Sequence, residues 1–173
     1  PAQFEEECLA DSVKYTLRDT GLPAHRLELE ITEAIFVKNE TVAEQFIGDM
    51  NRLGVDVALD DFGTGYSSLA YLTRFPVQKL KIDRSFVSGR RAFRERNAIV
   101  AAVVGLAQTL GMETTAEGVE TAGELAWVTG LGCRQIQGFY FSRPMSADAV
   151  PSYIQAFSAQ SASTGVVSVA RRS

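Results

Sequence analysis

Short β-type runs of apolar residues alternate with helical stretches along almost the whole chain, and this alternation limits the possible folds more than any other feature. Strands joined by helices pair in parallel, because the helical crossover returns the chain to the same end of the sheet. We therefore predict an α/β protein with strands at 27–32, 55–62, 77–83, 112–119 and 133–139. The predicted helices lie at 4–20, 39–53, 67–74, 95–110, 121–131 and 147–160.

Five βα units fit either an open doubly wound sheet or part of a (βα)8 barrel, which needs about 250 residues when complete. The chain opens on a helix, with no strand before it and no initiating Met. We therefore expect it to be a piece of a longer protein. The last residues, 161–173, are rich in Ser and show no periodicity, so we expect a folded region at 1–160 and a flexible tail at 161–173.

Composition excludes several classes of protein. The 173 residues carry a formal net charge of −4, which argues against a DNA- or RNA-binding protein held by counterion release. The two cysteines stand far apart without a nearby His or Cys cluster, so neither a disulfide framework nor a zinc site is expected. The longest apolar run covers only residues 99–107, whereas a membrane-spanning helix needs about 20. We expect no membrane segment here and a cytoplasmic location, although regions outside this piece could anchor a longer protein to a membrane.

Polar residues collect where the predicted strands end, which is where parallel α/β proteins bind their ligands. Most of them are acidic. Along the five strands they are Glu30 and Glu33, then Asp60 and Asp61, then Lys81 and Asp83, then Glu117 and Glu120, and finally Gln137.

Converging carboxylates repel one another unless a cation neutralises them, and hard oxygen ligands suit Mg²⁺ or Mn²⁺. The sequence therefore predicts a divalent metal site, with room for two ions that clamp a phosphoryl group. Adjacent strand residues point to opposite faces, so we expect Asp60 and Asp61 to share the site only where the strand ends in a turn at Gly63 and Gly65. A lone Asp-Asp pair is usually only a turn or a helix cap, but Glu30 in an apolar strand is costly without a charged partner.

Five segments resemble the EAL domain, the cyclic diguanylate phosphodiesterase module of bacterial signalling proteins. They occur in the family's order and cover roughly 1–145, with DDFGTGYSSL the most specific part. The segments are LELEITE at 27–33, ALDDFGTGYSSL at 58–69, LKIDRSFV at 80–87, TAEGVE at 115–120 and QGFYFSRPM at 137–145.

The resemblance implies a TIM-like (β/α)8 barrel, here an incomplete barrel of about five βα units that lacks the first strands. It also implies hydrolysis of cyclic diguanylate to the linear dinucleotide by two metal ions, Mg²⁺ or Mn²⁺. By position, the implied metal ligands are Glu30, Asp60, Asp61 and Glu117, with Asp60 as the bridge. The implied catalytic residues are Lys81, which orients or activates the attacking water, and Glu117, Gln137 and Glu33, the last bracing the loop after Asp61.

The Glu-Ala-Leu motif and a metal-binding Asn of the family belong to segments before Pro1. We therefore expect the chain to be the C-terminal part of the domain and to be poorly active alone. The resemblance further implies a homodimer and preceding sensory or cyclase domains. A second hypothesis stays open, in which the domain is a catalytically inactive sensor of cyclic dinucleotides or an interaction module.

Overall fold

The computed structural model describes residues 9–63, 69–89 and 92–164. The chain divides into two compact units, residues 1–140 and 141–173. The first unit contains one five-stranded parallel sheet in the order β1-β2-β3-β4-β5. Its strands are β1 Glu28–Thr32, β2 Asp56–Phe62, β3 Lys79–Ile82, β4 Glu113–Ala116 and β5 Gln135–Ile136.

Helices lie between the strands as the sequence predicts. Those of the first unit are α1 Leu9–Thr20, α2 Ala34–Lys38, α3 Glu40–Leu53, α4 Leu69–Arg74, α5 Arg84–Val87, α6 Phe93–Thr109 and α7 Ala122–Gly130, and a 3₁₀ turn covers Ala24–Arg26. Two of them, α2 and α5, were not predicted, because each is a short helix with too few turns to show a periodic pattern. The capping box of Thr121 and Glu124 at the start of α7 is formed as predicted.

The strands occur in sequence order and all run in parallel, which is the arrangement of consecutive strands in a (βα)8 wall. The α/β class and the five predicted strands are confirmed. Two strands are shorter than predicted. The fourth ends at Ala116 instead of 119, just before Gly118 (φ 67°), and the fifth covers two residues of the predicted 133–139, because the chain turns at Gly138 (φ 159°). A Cβ at Gly138 would lie 2.1 Å from the carbonyl oxygen of Val119, so only glycine fits there.

The two faces of the sheet differ in chemistry, and this difference positions the site. On β3, Leu80 and Ile82 belong to the buried apolar clusters that the helices cover, and Phe46, Ile47 and Met50 of α3 pack in the first of these clusters. The alternate residues, Lys79 and Lys81, point to the other face. The helix-facing side therefore forms the core, while the opposite face carries ion pairs.

The second unit contains a 3₁₀ turn at Ala147–Ala149 and helix α8, Val150–Thr164. The Tyr153 hydroxyl donates a hydrogen bond to the Phe141 carbonyl oxygen (2.8 Å), and the rings of both residues pack near Phe157. This helix extends four residues beyond the predicted end at 160, into the expected tail. Residues 165–173 of that tail lie outside the described residues. Within the described ranges, every helix is too short or too polar to cross a bilayer.

Candidate metal centre

A β-bulge brings two neighbouring aspartates to one place. Leu59 of β2 pairs with Leu80 of β3 and Phe62 pairs with Ile82, so two residues of β2, Asp60 and Asp61, lie opposite the single residue Lys81. Asp61 adopts a left-handed backbone conformation (φ 55°), which Asp tolerates better than most residues. The bulge cancels the alternation of side chains, and both carboxylates therefore reach the same site.

This geometry corrects the expectation that the strand must end before the two aspartates can meet. Strand β2 continues through Asp61 to Phe62, and Gly63 only follows it. Gly65, the other glycine of the expected turn, lies outside the described residues. A bulge has no reliable signature in one sequence, because it depends on the register of the neighbouring strand.

Lys81 is the centre of a cluster of ion pairs. Its ammonium nitrogen lies 2.7 Å from Glu30 Oε2, 3.0 Å from Asp60 Oδ1 and 2.7 Å from Glu117 Oε1. The Lys81 side chain is only 5% exposed. Burial by itself lowers the pKa of Lys81, but the three carboxylates outweigh it and raise that pKa above its ordinary value. Lys81 therefore carries a positive charge throughout the physiological pH range.

Three carboxylates form a possible set of metal ligands. One oxygen from each of Asp60, Asp61 and Glu117 lies within 4.8 Å of the other two. Oδ1 of Asp60 is buried, and the Lys81 ammonium, its ion-pair partner, lies 3.0 Å away. Burial and then the neighbouring charge of Asp60 raise the pKa of Asp61. A divalent cation would remove that repulsion and satisfy the Asp60 oxygen, so the residues fit a hard, oxygen-liganded ion.

The remaining predicted residues lie around this set. Glu30 joins it through Lys81 and is not one of the three clustered carboxylates. Glu33 is buried, and its Oε1 accepts a hydrogen bond from the Gly63 backbone N–H (3.2 Å), next to the bulge. The loop continues into residues 64–68, which lie outside the described residues.

Glu117 and Gln137 are placed by the backbone that follows β4. The Gln137 N–H donates to the Ala116 carbonyl oxygen (2.8 Å), and the Gln137 carbonyl oxygen accepts from the Val119 N–H (3.1 Å). Gln137 thus lies beside the Glu117 segment, but its side chain is exposed and it is not one of the ion-pair partners of Lys81. Directly after Glu117, Gly118 has a φ of 67°, and a Cβ there would lie 2.4 Å from the Arg84 Cβ.

Sequence reasoning missed a second set of polar residues on the same face. Lys79 forms an ion pair with Glu28, and Gln135 Nε2 donates to Glu113 Oε2 (2.8 Å). The signal was present, because Glu28, Lys79 and Gln135 each stand two residues before a predicted site residue.

Comparison with known proteins agrees with this geometry. The sequence matches the EAL domain family over residues 1–144. It is 41% identical over 149 residues to the cyclic di-GMP phosphodiesterase NbdA of Pseudomonas aeruginosa, covering 86% of this chain and 19% of that protein. The chain spans about a fifth of the length of the curated relatives it matches.

Solved structures give the same result. The PaMucR phosphodiesterase in complex with c-di-GMP superposes with a TM-score of 0.80 at 40% identity, over 86% of this chain and 66% of that one. Klebsiella pneumoniae BlrP1, in a complex with manganese and cyclic diguanylate, has a TM-score of 0.74 at 34% identity over 82% of this chain and 36% of that one. The parallel wall, the acidic rim around Lys81 and these matches together show that the chain belongs to the EAL domain family.

Proposed function

We propose that this chain carries the catalytic face of a phosphodiesterase that hydrolyses cyclic diguanylate to the linear dinucleotide with the help of divalent cations. The observation that carries the proposal is the position of Lys81, whose ammonium lies within 3.0 Å of three carboxylates beside the Asp60–Asp61–Glu117 set. Two relatives, NbdA and PaMucR, bear the name of phosphodiesterase, and PaMucR was solved with c-di-GMP.

The cations belong to the carboxylate set. Asp60, Asp61 and Glu117 would hold them, and Glu30 would complete the set from β1. We propose two ions, Mg²⁺ or Mn²⁺, and Asp60 would be a ligand that serves both. A pair of divalent ions stabilises the negative charge that develops on a phosphoryl group and lowers the pKa of a bound water.

The chain's own residues orient the reactants. Lys81 is charged and is oriented by its three carboxylate partners, so it would present a positive group to the attacking water and to the phosphodiester. Glu33 holds the Gly63 N–H and thereby fixes the backbone that follows Asp61. Gln137, beside Glu117, contributes an exposed amide at the same rim.

We propose that residues 1–160 form the C-terminal part of the EAL domain. We further propose that this domain forms a homodimer in the cytoplasm. In a longer protein it would follow sensory or cyclase domains. The share of the relatives that this chain covers, about a fifth, supports additional domains.

The test is formation of the linear dinucleotide from cyclic diguanylate by the longest available form of the protein, in Mg²⁺ or Mn²⁺. Asp60→Asn should lower turnover by several orders of magnitude, and EDTA should abolish it, because the charge of the phosphoryl group then meets uncompensated carboxylates. Thr109→Ser, which keeps the hydroxyl hydrogen bond to the Gly105 carbonyl oxygen at the C-terminal end of α6, serves as the control and should leave turnover unchanged. Full turnover in EDTA would overturn the metal-dependent reaction. An inactive parent that still binds the dinucleotide would support the sensor hypothesis instead.

A further inference from the structure

A second layer of polar side chains lies on the same face of the sheet as the metal centre, two residues earlier along β1 and β3. We call it the lower layer, and its members are Glu28, Lys79, Glu113 and Gln135. Like the metal centre, it contains a carboxylate from β1 and a lysine from β3. It has no aspartate from β2, where Ala58 pairs with both Glu30 and Lys79 in the strand register.

The ion pair between Lys79 and Glu28 connects strands that are not neighbours. Glu28 belongs to β1 and Lys79 to β3, with β2 between them in the sheet. The Lys79 side chain is 10% exposed, whereas that of Glu28 is 31% exposed. A lysine buried to this extent needs a carboxylate, because an unpaired ammonium is costly away from water.

Two lysines of β3 therefore face two carboxylates of β1 on one surface. Lys79 and Lys81 are about 7 Å apart along the strand, as are Glu28 and Glu30. On β1, the Lys79 ammonium forms an ion pair with Glu28, and the Lys81 ammonium forms one with Glu30.

If Glu28 lost its charge, two carboxylates of the same face would remain near Lys79. Glu113 of β4 is its register neighbour but already accepts a hydrogen bond from Gln135. Glu30 of β1 is level with Lys79, since both pair with Ala58, and the flexible four-carbon stem of Lys79 would reach towards it.

We propose that Glu28 is a positioning residue that holds Lys79 away from Glu30 and so keeps Glu30 available to Lys81 and to a divalent cation. The proposal rests on the metal site of the proposed function. A second ammonium bound to Glu30, in addition to that of Lys81, would compete with a divalent cation for the same carboxylate. The ion pair of Glu28 with Lys79 therefore preserves the negative charge of Glu30 for the metal centre.

The experiment measures Mn²⁺ affinity, by calorimetric titration of the full chain, for wild type and three variants. Glu28→Gln removes the charge that pairs with Lys79. The double variant Glu28→Gln with Lys79→Met removes the lysine charge as well. Glu113→Gln is the matched control, because it removes one carboxylate from the lower layer but leaves the Lys79–Glu28 ion pair intact.

We expect Glu28→Gln to weaken Mn²⁺ binding by about fivefold or more, the change that an ordinary ion pair makes in an equilibrium constant. The double variant should return to within about twofold of wild type, and Glu113→Gln should weaken binding much less than Glu28→Gln. Unchanged affinity in Glu28→Gln, or equal losses in Glu28→Gln and Glu113→Gln, would overturn the proposal.

A crystal structure of Glu28→Gln without metal separates this proposal from the proposed function. We expect the Lys79 ammonium within 4 Å of a Glu30 oxygen, the limit for an ion pair. A Lys79 that stays near position 28, or that turns to its register neighbour Glu113, would contradict the inference. If wild type bound no Mn²⁺, the proposed function would fail, yet this structure would still decide where Lys79 goes. Should Glu28→Gln not fold, Glu28→Asp keeps the charge but draws the carboxylate back from Lys79, and Mn²⁺ affinity equal to that of wild type in this variant would overturn the proposal.

Discussion

The ammonium of Lys81 lies 2.7 Å from Oε1 of Glu117, a residue that stands immediately after the last residue of β4. Lys81 is in the middle of its strand, so the contact joins the interior of one strand to the end of the next. Because Glu117 also belongs to the carboxylate set with Asp60 and Asp61, this one lysine supplies part of the charge balance of the metal centre.

Lys81→Met tests that balance. It leaves Glu30, Asp60 and Glu117 without their common cation, and breaking a buried ion pair typically costs about 3 kcal/mol or more of unfolding free energy. We expect this loss in urea unfolding without metal. Millimolar Mg²⁺ should recover a larger part of the stability in Lys81→Met than it adds to wild type. Equal effects of Mg²⁺ on both proteins would show that the ion does not bind at these carboxylates.

Asp61→Asn separates the charge of Asp61 from its backbone conformation. Asn tolerates a positive φ as Asp does, so the bulge and the fold should persist, while Mn²⁺ affinity should fall by about tenfold or more through loss of a charged ligand. Asp61→Val should weaken Mn²⁺ similarly and also lose about 1–2 kcal/mol of stability, because a β-branched residue is strained there. Calorimetric titration and urea unfolding measure the two effects. Identical stability of the Asn and Val variants would contradict the bulge geometry.

The raised pKa of Asp61 predicts a specific dependence of stability on pH. A carboxyl whose folded pKa lies above its ordinary value of 3.8 binds its proton more tightly in the folded state, so it destabilises the metal-free protein as pH rises through that interval. The stability of Asp61→Asn relative to wild type should therefore increase with pH above about 4 and then level off. Urea unfolding across the acid range measures the difference between the two proteins, and a difference that is flat with pH would exclude the shift.

Gly118→Ala should destabilise the first unit by about 2 kcal/mol, because the added Cβ meets the Arg84 Cβ at 2.4 Å and the backbone has a φ of 67°. Gly105→Ala is the matched control. Gly105 is exposed in α6, and nothing lies within 4 Å of its added Cβ. That variant should gain about 0.5–1 kcal/mol from helix propensity. Thermal unfolding of the two variants should therefore shift in opposite directions, and equal shifts would contradict the close approach at Gly118.

The strands and the residues at the rim could be predicted because both depend on local signals. Alternating apolar residues mark β1 to β3, and a carboxylate such as Glu30 stands out within an apolar strand. The fifth strand was predicted too long, because its end depends on contact between Gly138 and the distant Val119.

The arrangement within the site depends on register, which the sequence leaves open. Asp60 and Asp61 meet through a bulge opposite Lys81, and no local pattern distinguishes that bulge from a strand end. The pairing of Lys79 with Glu28 likewise joins β1 to β3 across β2, so its partners are 51 residues apart in the chain. Contacts of this kind become visible only in three dimensions.

A crystal of the chain soaked in Mn²⁺ and measured at the manganese absorption edge tests the assignment of the metal centre most directly. We expect an anomalous peak about 2.0–2.3 Å from oxygens of Asp60, Asp61 and Glu117, with Lys81 still held by its carboxylate partners. The peak should disappear in Asp60→Asn. An ordered lattice with manganese bound only elsewhere, or with no manganese at these three carboxylates, would contradict the assignment of this rim as the metal centre.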